Sequence, residues 1–270
     1  MQGSHHWQPP TGTLGELVDR AYDRARQLDV EALKAAVSAA PVPPSFADAL
    51  RRDDVAVIAE IKRRSPSLGD INTSLDPVTR ARAYVDGGAA ALSVLTEPDR
   101  FGGSPDDLKA VHGAVAVPLL RKDFTVDFSQ ILEARALGAS AVLLIVKALD
   151  PVDLEDLIEE TTALDLTPVV EIHNEAELDV ALSLEATVIG VNNRDLETLA
   201  VDPQNSIRLM HKIPPWVIAI GESGITHRSG VEAQANAGAD AILCGSAVSA
   251  AEDPAAMVRA LVGVPRLCRP

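Results

Sequence analysis

From about residue 54 to the C-terminus, short apolar runs rich in Val, Ile and Leu alternate with longer segments that mix apolar and polar residues at helical spacing. This alternation predicts repeated βα units and a parallel sheet. The strand candidates are Val55 to Ile61, Ala90 to Val94, Val117 to Arg121, Ala141 to Ile145, Thr167 to Glu171, Val188 to Asn192, Val217 to Gly221 and Ala241 to Cys244. Most of these runs are continuously apolar, as parallel strands covered on both faces are. They begin roughly every 20 to 35 residues, enough for one strand, one loop, one helix and one return.

Punctuation residues support the same units. Gly87-Gly88-Ala89-Ala90, Gly138-Ala139-Ser140-Ala141 and Gly238-Ala239-Asp240-Ala241 each lead into an apolar run, the pattern of a helix C-cap followed by a buried strand. Glu185-Ala186 takes the equivalent place before Val188, so a roughly 50-residue spacing, two βα units, runs through the chain. Asp76-Pro77, Asp150-Pro151 and Asp253-Pro254 each offer an N-cap carboxylate with proline at the first helical position. Ahead of the first strand, Leu14 to Leu28 and Val30 to Ala39 read as helices, closed by the breaker Pro41-Val42-Pro43-Pro44.

Eight βα units close into a barrel or wind around an open sheet. Neither G-x-G-x-x-G nor G-x-x-x-x-G-K-[ST] follows the first strand, where a dinucleotide or P-loop fold needs it. The expectation is therefore an α/β chain of the (β/α)8 TIM-barrel class with an N-terminal helical extension. Residues 1–12 read as a polar tail, Gly3 to His6 resembling a tag remnant, residues 13–270 as one domain, and residues 13–48 as its extension.

Length fits, since 270 residues is close to the roughly 250 of one such barrel. With 47% apolar residues but only 3% aromatic, the core must be filled by Ala, Val, Ile and Leu. The net charge of −15, from 39 acidic and 24 basic residues, argues against nucleic acid or an anionic membrane as partner. An anionic substrate would then need its cations gathered locally. No apolar run approaches the roughly 20 residues of a membrane span. The two cysteines, Cys244 and Cys268, form no disulfide framework and no metal-ligand spacing, so no metal is expected and the cytoplasm is the default compartment.

Barrel active sites lie at the C-terminal ends of the strands. Reading those ends in turn, strand 1 delivers Glu60 and Lys62, strand 3 Lys122 and Asp123, strand 5 Glu171 and His173, and strand 6 Asn192 and Arg194. Strand 7 delivers Glu222 and Ser223, and strand 8 Gly245 and Ser246. Alternation puts Glu60 and Lys62 on one side, and Asn192 and Arg194 likewise. Salt bridges closing the barrel top are the structural alternative for any one of them. A lysine crowded by a second cation is expected to have its pKa lowered toward neutrality, where it donates a proton effectively. The glycines of Gly221-Glu222-Ser223-Gly224 and Cys244-Gly245-Ser246 suit a phosphate cradle, with a short helix after Gly245-Ser246 adding its N-terminal dipole. The basic, turn-rich loop Lys62 to Asp70 suits a lid over an anion or a solvated surface loop.

The segment Ile58-Ala59-Glu60-Ile61-Lys62-Arg63-Arg64-Ser65-Pro66-Ser67 resembles the signature of the indole-3-glycerol phosphate synthase family. The likeness continues through Ser93 to Glu97, Phe101 to Ser104, Leu120 to Phe124, Val170 to Asn174, Gly190 to Leu196 and Gly221 to Ile225. It covers nearly everything from Ser45 to Val262 and is weakest in the extension, which family members use to cover the site.

The resemblance implies a cofactor-free lyase acting on 1-(o-carboxyphenylamino)-1-deoxyribulose 5-phosphate, a small phosphorylated molecule, in a monomer or weak oligomer. By that likeness Lys122 is the general acid at the C2 carbonyl and Glu171 the base of the later dehydration. Lys62 holds the departing carboxylate and shares the acid role. Glu60 and Asn192 bind hydroxyls, with Arg194 and Ser65 near the charged groups of the substrate. Ser223, Gly224, Gly245 and Ser246 hold the phosphate, and Phe101, Phe124, Leu143 and Leu196 wall the aromatic ring, unless these four serve only as core. The competing readings are another phosphate-binding barrel such as phosphoribosylanthranilate isomerase, whose chemistry pairs a cysteine with an aspartate, and a catalytically idle barrel kept as a binding partner.

Overall fold

The computed structural model describes residues 7–269, so the expected tail falls in part on residues 1–6, outside the described residues. Eight parallel strands close into a barrel: β1 (Ala56–Ile61), β2 (Ala91–Leu95), β3 (Leu119–Lys122), β4 (Ala141–Ile145), β5 (Thr167–Ile172), β6 (Val188–Asn192), β7 (Ile218–Glu222) and β8 (Ala241–Cys244). Each pairs with its neighbours in chain order, and β1 closes the ring on β8 through Ala56 opposite Ala241 and Ala59 opposite Cys244. The (β/α)8 expectation is borne out.

The strands at 141–145, 188–192 and 241–244 coincide with the apolar runs, β1 and β5 differ from them by one residue at one end, and β2 and β7 are shifted along by one residue. The third begins at Leu119 rather than Val117. Pro118 stands between and has no N–H to give to a ladder. It contributes only its carbonyl, which accepts from Leu92 N–H at 3.0 Å.

Helix starts follow the expected chemistry. Asp76, Asp150 and Asp253 accept from the backbone N–H of Thr79, Val152 and Ala256 at 2.8, 3.0 and 2.9 Å, each with proline in the first turn. In the turns into the strands the left-handed residue is Gly88, Gly138 or Gly238, with φ of 99°, 90° and 92°. In the first of these turns the second glycine, not Gly87, does the work. Glu185 adopts φ 56° in the equivalent turn before β6 and does so without glycine.

The extension begins with α1 (Gly12–Ala25) and α2 (Val30–Ala39). Leu14, Leu17, Val18, Ala21 and Ala25 recur at steps of three and four, so one stripe of α1 is buried. Ion pairs tie that helix to the loops after β2 and β3. Arg20 meets Asp99 at 3.0 Å, Arg100 meets Glu16 at 3.0 Å, and Arg24 meets Asp123 at 2.9 Å. By contrast α2 has no buried residue and lies beside the helix Phe128–Ala136.

Opposite the mouth, the C-terminal segment fastens the barrel base. Pro265 bridges to Asp54, and Arg266 and Arg269 both pair with the buried Asp240. Among the described residues, no helix is long and apolar enough to cross a membrane.

Candidate active site

All fifteen sequence-predicted residues line one pocket at the C-terminal ends of the strands. Glu60, Lys122, Glu171 and Glu222 come from β1, β3, β5 and β7, and Lys62 follows β1 directly. Side chains of alternate strands share a layer of a barrel lumen. The odd strands therefore build one charged layer at the mouth.

Its centre is Lys122. The ammonium Nζ donates to Glu171 Oε2 at 2.6 Å and to Glu222 Oε2 at 2.9 Å. Asn192 Nδ2 donates to the other oxygen of Glu171 at 3.1 Å, and Asn192 Oδ1 accepts from Arg194 N–H at 2.9 Å. Lys62 Nζ lies 2.6 Å from Glu60 Oε1, while Ser93 Oγ reaches Glu60 Oε2 at 3.5 Å.

These contacts overturn the expectation that Lys122 has a lowered pKa. Burial does penalise its charge, but Glu171, Glu222 and Glu60 together outweigh that penalty and push the pKa above the ordinary lysine value. Each lysine sits against carboxylates instead of being crowded by the other lysine. The two carboxylates respond in opposite directions. Burial disfavours ionisation of Glu171, yet the charges of Lys122 and His173 and hydrogen bonds from Lys122 and Asn192 lower it to about 2. For Glu222, burial and the neighbouring charges of Glu171 and Glu60 prevail over Lys122 and raise the pKa to about 7.

Glu222 is the functional candidate that sequence reading located without giving it a role. Its only signal was position, the last polar residue of β7. Its Oε1 is buried without a hydrogen-bond partner among the described residues, and a Cβ on Gly190 would lie 2.1 Å from that oxygen. The missing side chain at 190 is the space the carboxylate uses.

Gly245 serves Glu60 and Lys62 in the same way. A Cβ there would come within 2.2 Å of Glu60 Oε1 and 2.8 Å of Lys62 Nζ. Gly245→Ala is expected to displace that ion pair and to cost about 1–3 kcal/mol of stability by overpacking. Urea unfolding reads the stability, and kcat/KM in the turnover assay below reads the displacement.

Ser223 and Gly224 take left-handed φ values of 65° and 77°, turning the chain sharply at the end of β7. The strained Ser223 is held by Asn193 Nδ2, which donates to its carbonyl at 2.9 Å. The short helix expected after Gly245 spans Ser246–Ala250. Ser65 Oγ accepts from Leu68 N–H at 3.2 Å inside a small hairpin, Arg64–Ser65 against Gly69–Asp70, within the turn-rich loop Lys62 to Asp70. Two of its cations are taken, Arg63 by Asp107 and Arg64 by Asp70. Burial lowers the pKa of Arg194, whose guanidinium donates to the Leu199 carbonyl at 2.9 Å and, among the described residues, has no carboxylate bound to it.

Phe124 and Leu143 are buried, and Phe101 and Leu196 partly so, giving the pocket an apolar side. Thr13, Leu14 and Leu17 of α1 complete that side, so the extension reaches the site. Asp123 also lines the pocket, and its carboxylate is held by Arg24 and Thr96. Among the described residues, no group of three His, Cys, Asp or Glu side chains is arranged to hold a metal ion. Cys244 is buried, donates to the Ile225 carbonyl at 3.2 Å, and has its pKa pushed up to about 12 by burial. Such a thiol does not suit the cysteine-dependent isomerase alternative.

A closed barrel with acid and base groups gathered over one polar turn at the strand C-termini defines a class, the barrel enzymes that work on small molecules at that end. Residues 17–261 match the family described as indole-3-glycerol phosphate synthase. The chain is 48% identical over 239 residues to the indole-3-glycerol phosphate synthase of Mycobacteroides abscessus, covering 88% of each chain. It is 51% identical over 230 residues to that of Mycobacterium ulcerans, covering 85% of each. Among solved structures, 3-hexulose-6-phosphate synthase from Salmonella typhimurium superposes with a TM-score of 0.63 at 18% identity, over 77% of this chain and 96% of that one, a likeness of fold alone. The chain belongs to the indole-3-glycerol phosphate synthase family and is a lyase.

Proposed function

We propose that the chain converts 1-(o-carboxyphenylamino)-1-deoxyribulose 5-phosphate to indole-3-glycerol phosphate, carbon dioxide and water. The observation that carries this reading is Lys122 held between Glu171 and Glu222 at the base of a pocket that is apolar on one side.

The aromatic carbon bearing the carboxylate attacks C2 of the ribulose chain, and Lys122 delivers a proton to the C2 oxygen as charge develops there. Its strength as a catalyst is electrostatic and positional, because the flanking carboxylates keep it charged and aimed. Lys62 holds the substrate carboxylate until the C–C bond breaks, its electrons restoring the aromatic ring as carbon dioxide departs. A second proton, supplied by the lysines, lets the C2 hydroxyl leave as water. Glu171 takes the proton from C1 that completes the indole. Two protons enter and one leaves, so turnover consumes one proton.

Glu60 and Asn192 bind the sugar hydroxyls, with Arg194 and Ser65 near the anionic groups. Ser223, Gly224, Gly245 and Ser246 cradle the phosphate, and Phe101, Phe124, Leu143 and Leu196 face the aromatic ring. Glu222 stores a proton near neutrality and keeps Lys122 in place. The chemistry calls on no electron carrier or metal. We place the enzyme in the cytoplasm, acting as a monomer or weak oligomer on a free small-molecule phosphate.

The test is direct: purified protein with the carboxyphenylamino substrate is expected to generate indole fluorescence with stoichiometric release of carbon dioxide. Absence of both from folded protein refutes the assignment.

A further inference from the structure

Behind the charged layer lies a group that the proposed chemistry does not use. His173 follows β5, two residues beyond Glu171, and its ring is nearly buried, with 11% of the side chain exposed. Nδ1 lies 3.1 Å from Glu177 Oε2, on the helix Glu175–Ser183, and the same oxygen accepts from His173 N–H at 2.7 Å. Nε2 faces Glu171 Oε1 at 3.5 Å and has no hydrogen-bond partner among the described residues. Its own carbonyl accepts from Asn205 Nδ2 at 2.9 Å, so the backbone beneath the ring is fixed from a second helix.

We infer that His173, clamped by Glu177, is a positioning residue that holds a positive charge against the back of Glu171 and so keeps that carboxylate ionised as the base of dehydration. The inference rests on the role proposed above for Glu171.

A neutral imidazole donates from only one nitrogen, whereas the protonated ring donates from both. Carboxylates stand at both of its ends, and that arrangement selects the protonated form. The 3.5 Å gap is an electrostatic contact in the resting site, of the kind that tightens when substrate binds. Burial alone would strip the ring of its proton, but the hydrogen bond to Glu177 and the charges of Glu171, Glu177 and Glu222 prevail and raise its pKa. Glu171 is faced by Lys122, Asn192 and Glu222 from the other strands. Lys122 is shared with Glu222, and Lys122 is also the group that gives up a proton at the first step. A second cation is what keeps Glu171 ionised at that moment.

Two variants separate charge from shape. His173→Gln retains an amide without charge, and Glu177→Gln retains the imidazole while removing the carboxylate that keeps it protonated. In both, the acid limb of the kcat–pH profile is expected to move up by about one pH unit, with KM on the plateau changed less than twofold. The double variant is expected to move it no further than either single one. Ring-nitrogen NMR of histidine-labelled protein without substrate gives an independent readout, the His173 signal being assigned by its loss in His173→Gln. In Glu177→Gln and in Glu171→Gln the midpoint of that ring is expected to fall.

An unmoved acid limb in folded variants, or a His173 midpoint indifferent to Glu177→Gln, overturns the inference and leaves the ring as a spacer. Should Glu171→Gln itself turn over at the wild-type rate, the parent assignment fails instead, and the NMR linkage still reads the charge of His173.

Discussion

Lys122→Met is expected to lower kcat by about 10³-fold or more while leaving the affinity for indole-3-glycerol phosphate within a few-fold of wild type. Methionine matches the length of the lysine stem and removes only the ammonium. Two losses compound. The C2 oxygen loses its proton donor, and Glu171 loses the strongest of the influences that hold it near the bottom of the carboxylate range. With two buried carboxylates left facing each other, the pair shares a proton, so the base is weakened along with the loss of the acid. Indole fluorescence measures the turnover and isothermal titration with the product measures the binding. A fall of less than tenfold, or a joint loss of turnover and product affinity, contradicts the role given to this lysine.

The second large effect is on stability, and it lies one residue earlier. Arg121 is 3% exposed and points away from the pocket. It donates to Thr96 Oγ1 at 3.1 Å, to the Gln130 carbonyl at 2.9 Å and to Glu133 Oε2 at 2.6 Å, and its guanidinium lies 3.6 Å from Asp123. Arg121→Met fills much of the same volume but takes the donor from Glu133 and the Gln130 carbonyl and leaves Asp123 with Arg24 as its cation. Removing one partner of a buried charge network costs about 3–5 kcal/mol. For a chain of this size that corresponds to a melting temperature lower by about 10 °C. Differential scanning calorimetry checks the value, and a change under about 2 °C would mean that water replaces the guanidinium without loss. Because Asp123 in turn holds Arg24 of α1, the same variant is expected to loosen the extension over the mouth, seen as faster proteolysis ahead of residue 45.

Much of the architecture was legible because its causes are local. A parallel strand buried on both faces must be an apolar run, so Ala141–Ile145 and Ala241–Cys244 are visible as written. The polar residues that end such runs had to face the mouth or its rim, which located Lys122, Glu171 and Asn192. What remained hidden was pairing at a distance. Lys122 meets carboxylates 49 and 100 residues further along the chain, and no periodicity encodes that encounter. Hence crowding by a second cation predicts the wrong direction for its pKa shift, and nothing local assigns a role to Glu222. The hairpin in the loop after β1 escaped for a different reason. Arg64-Ser65 and Gly69-Asp70 are two-residue strands of turn-forming residues, too short for alternation to register. Likewise α1 announced its buried stripe but not what it would cover, since Leu14 and Leu17 would look the same packed against any apolar surface.

The pairing of β1 with β8 sets a constraint on how the molecule is made. The partner of the first strand to leave the ribosome is the last one, about 180 residues later, and the segment that fastens the base, Asp54 to Pro265 and Asp240 to Arg266 and Arg269, is later still. During synthesis the growing sheet therefore carries two unpaired edges, and the apolar residues of β1 wait for a neighbour while the remaining units are translated. Ring closure therefore waits for the last strand to be made, and the stage before it is the one at which the growing chain is most exposed to association with its own copies.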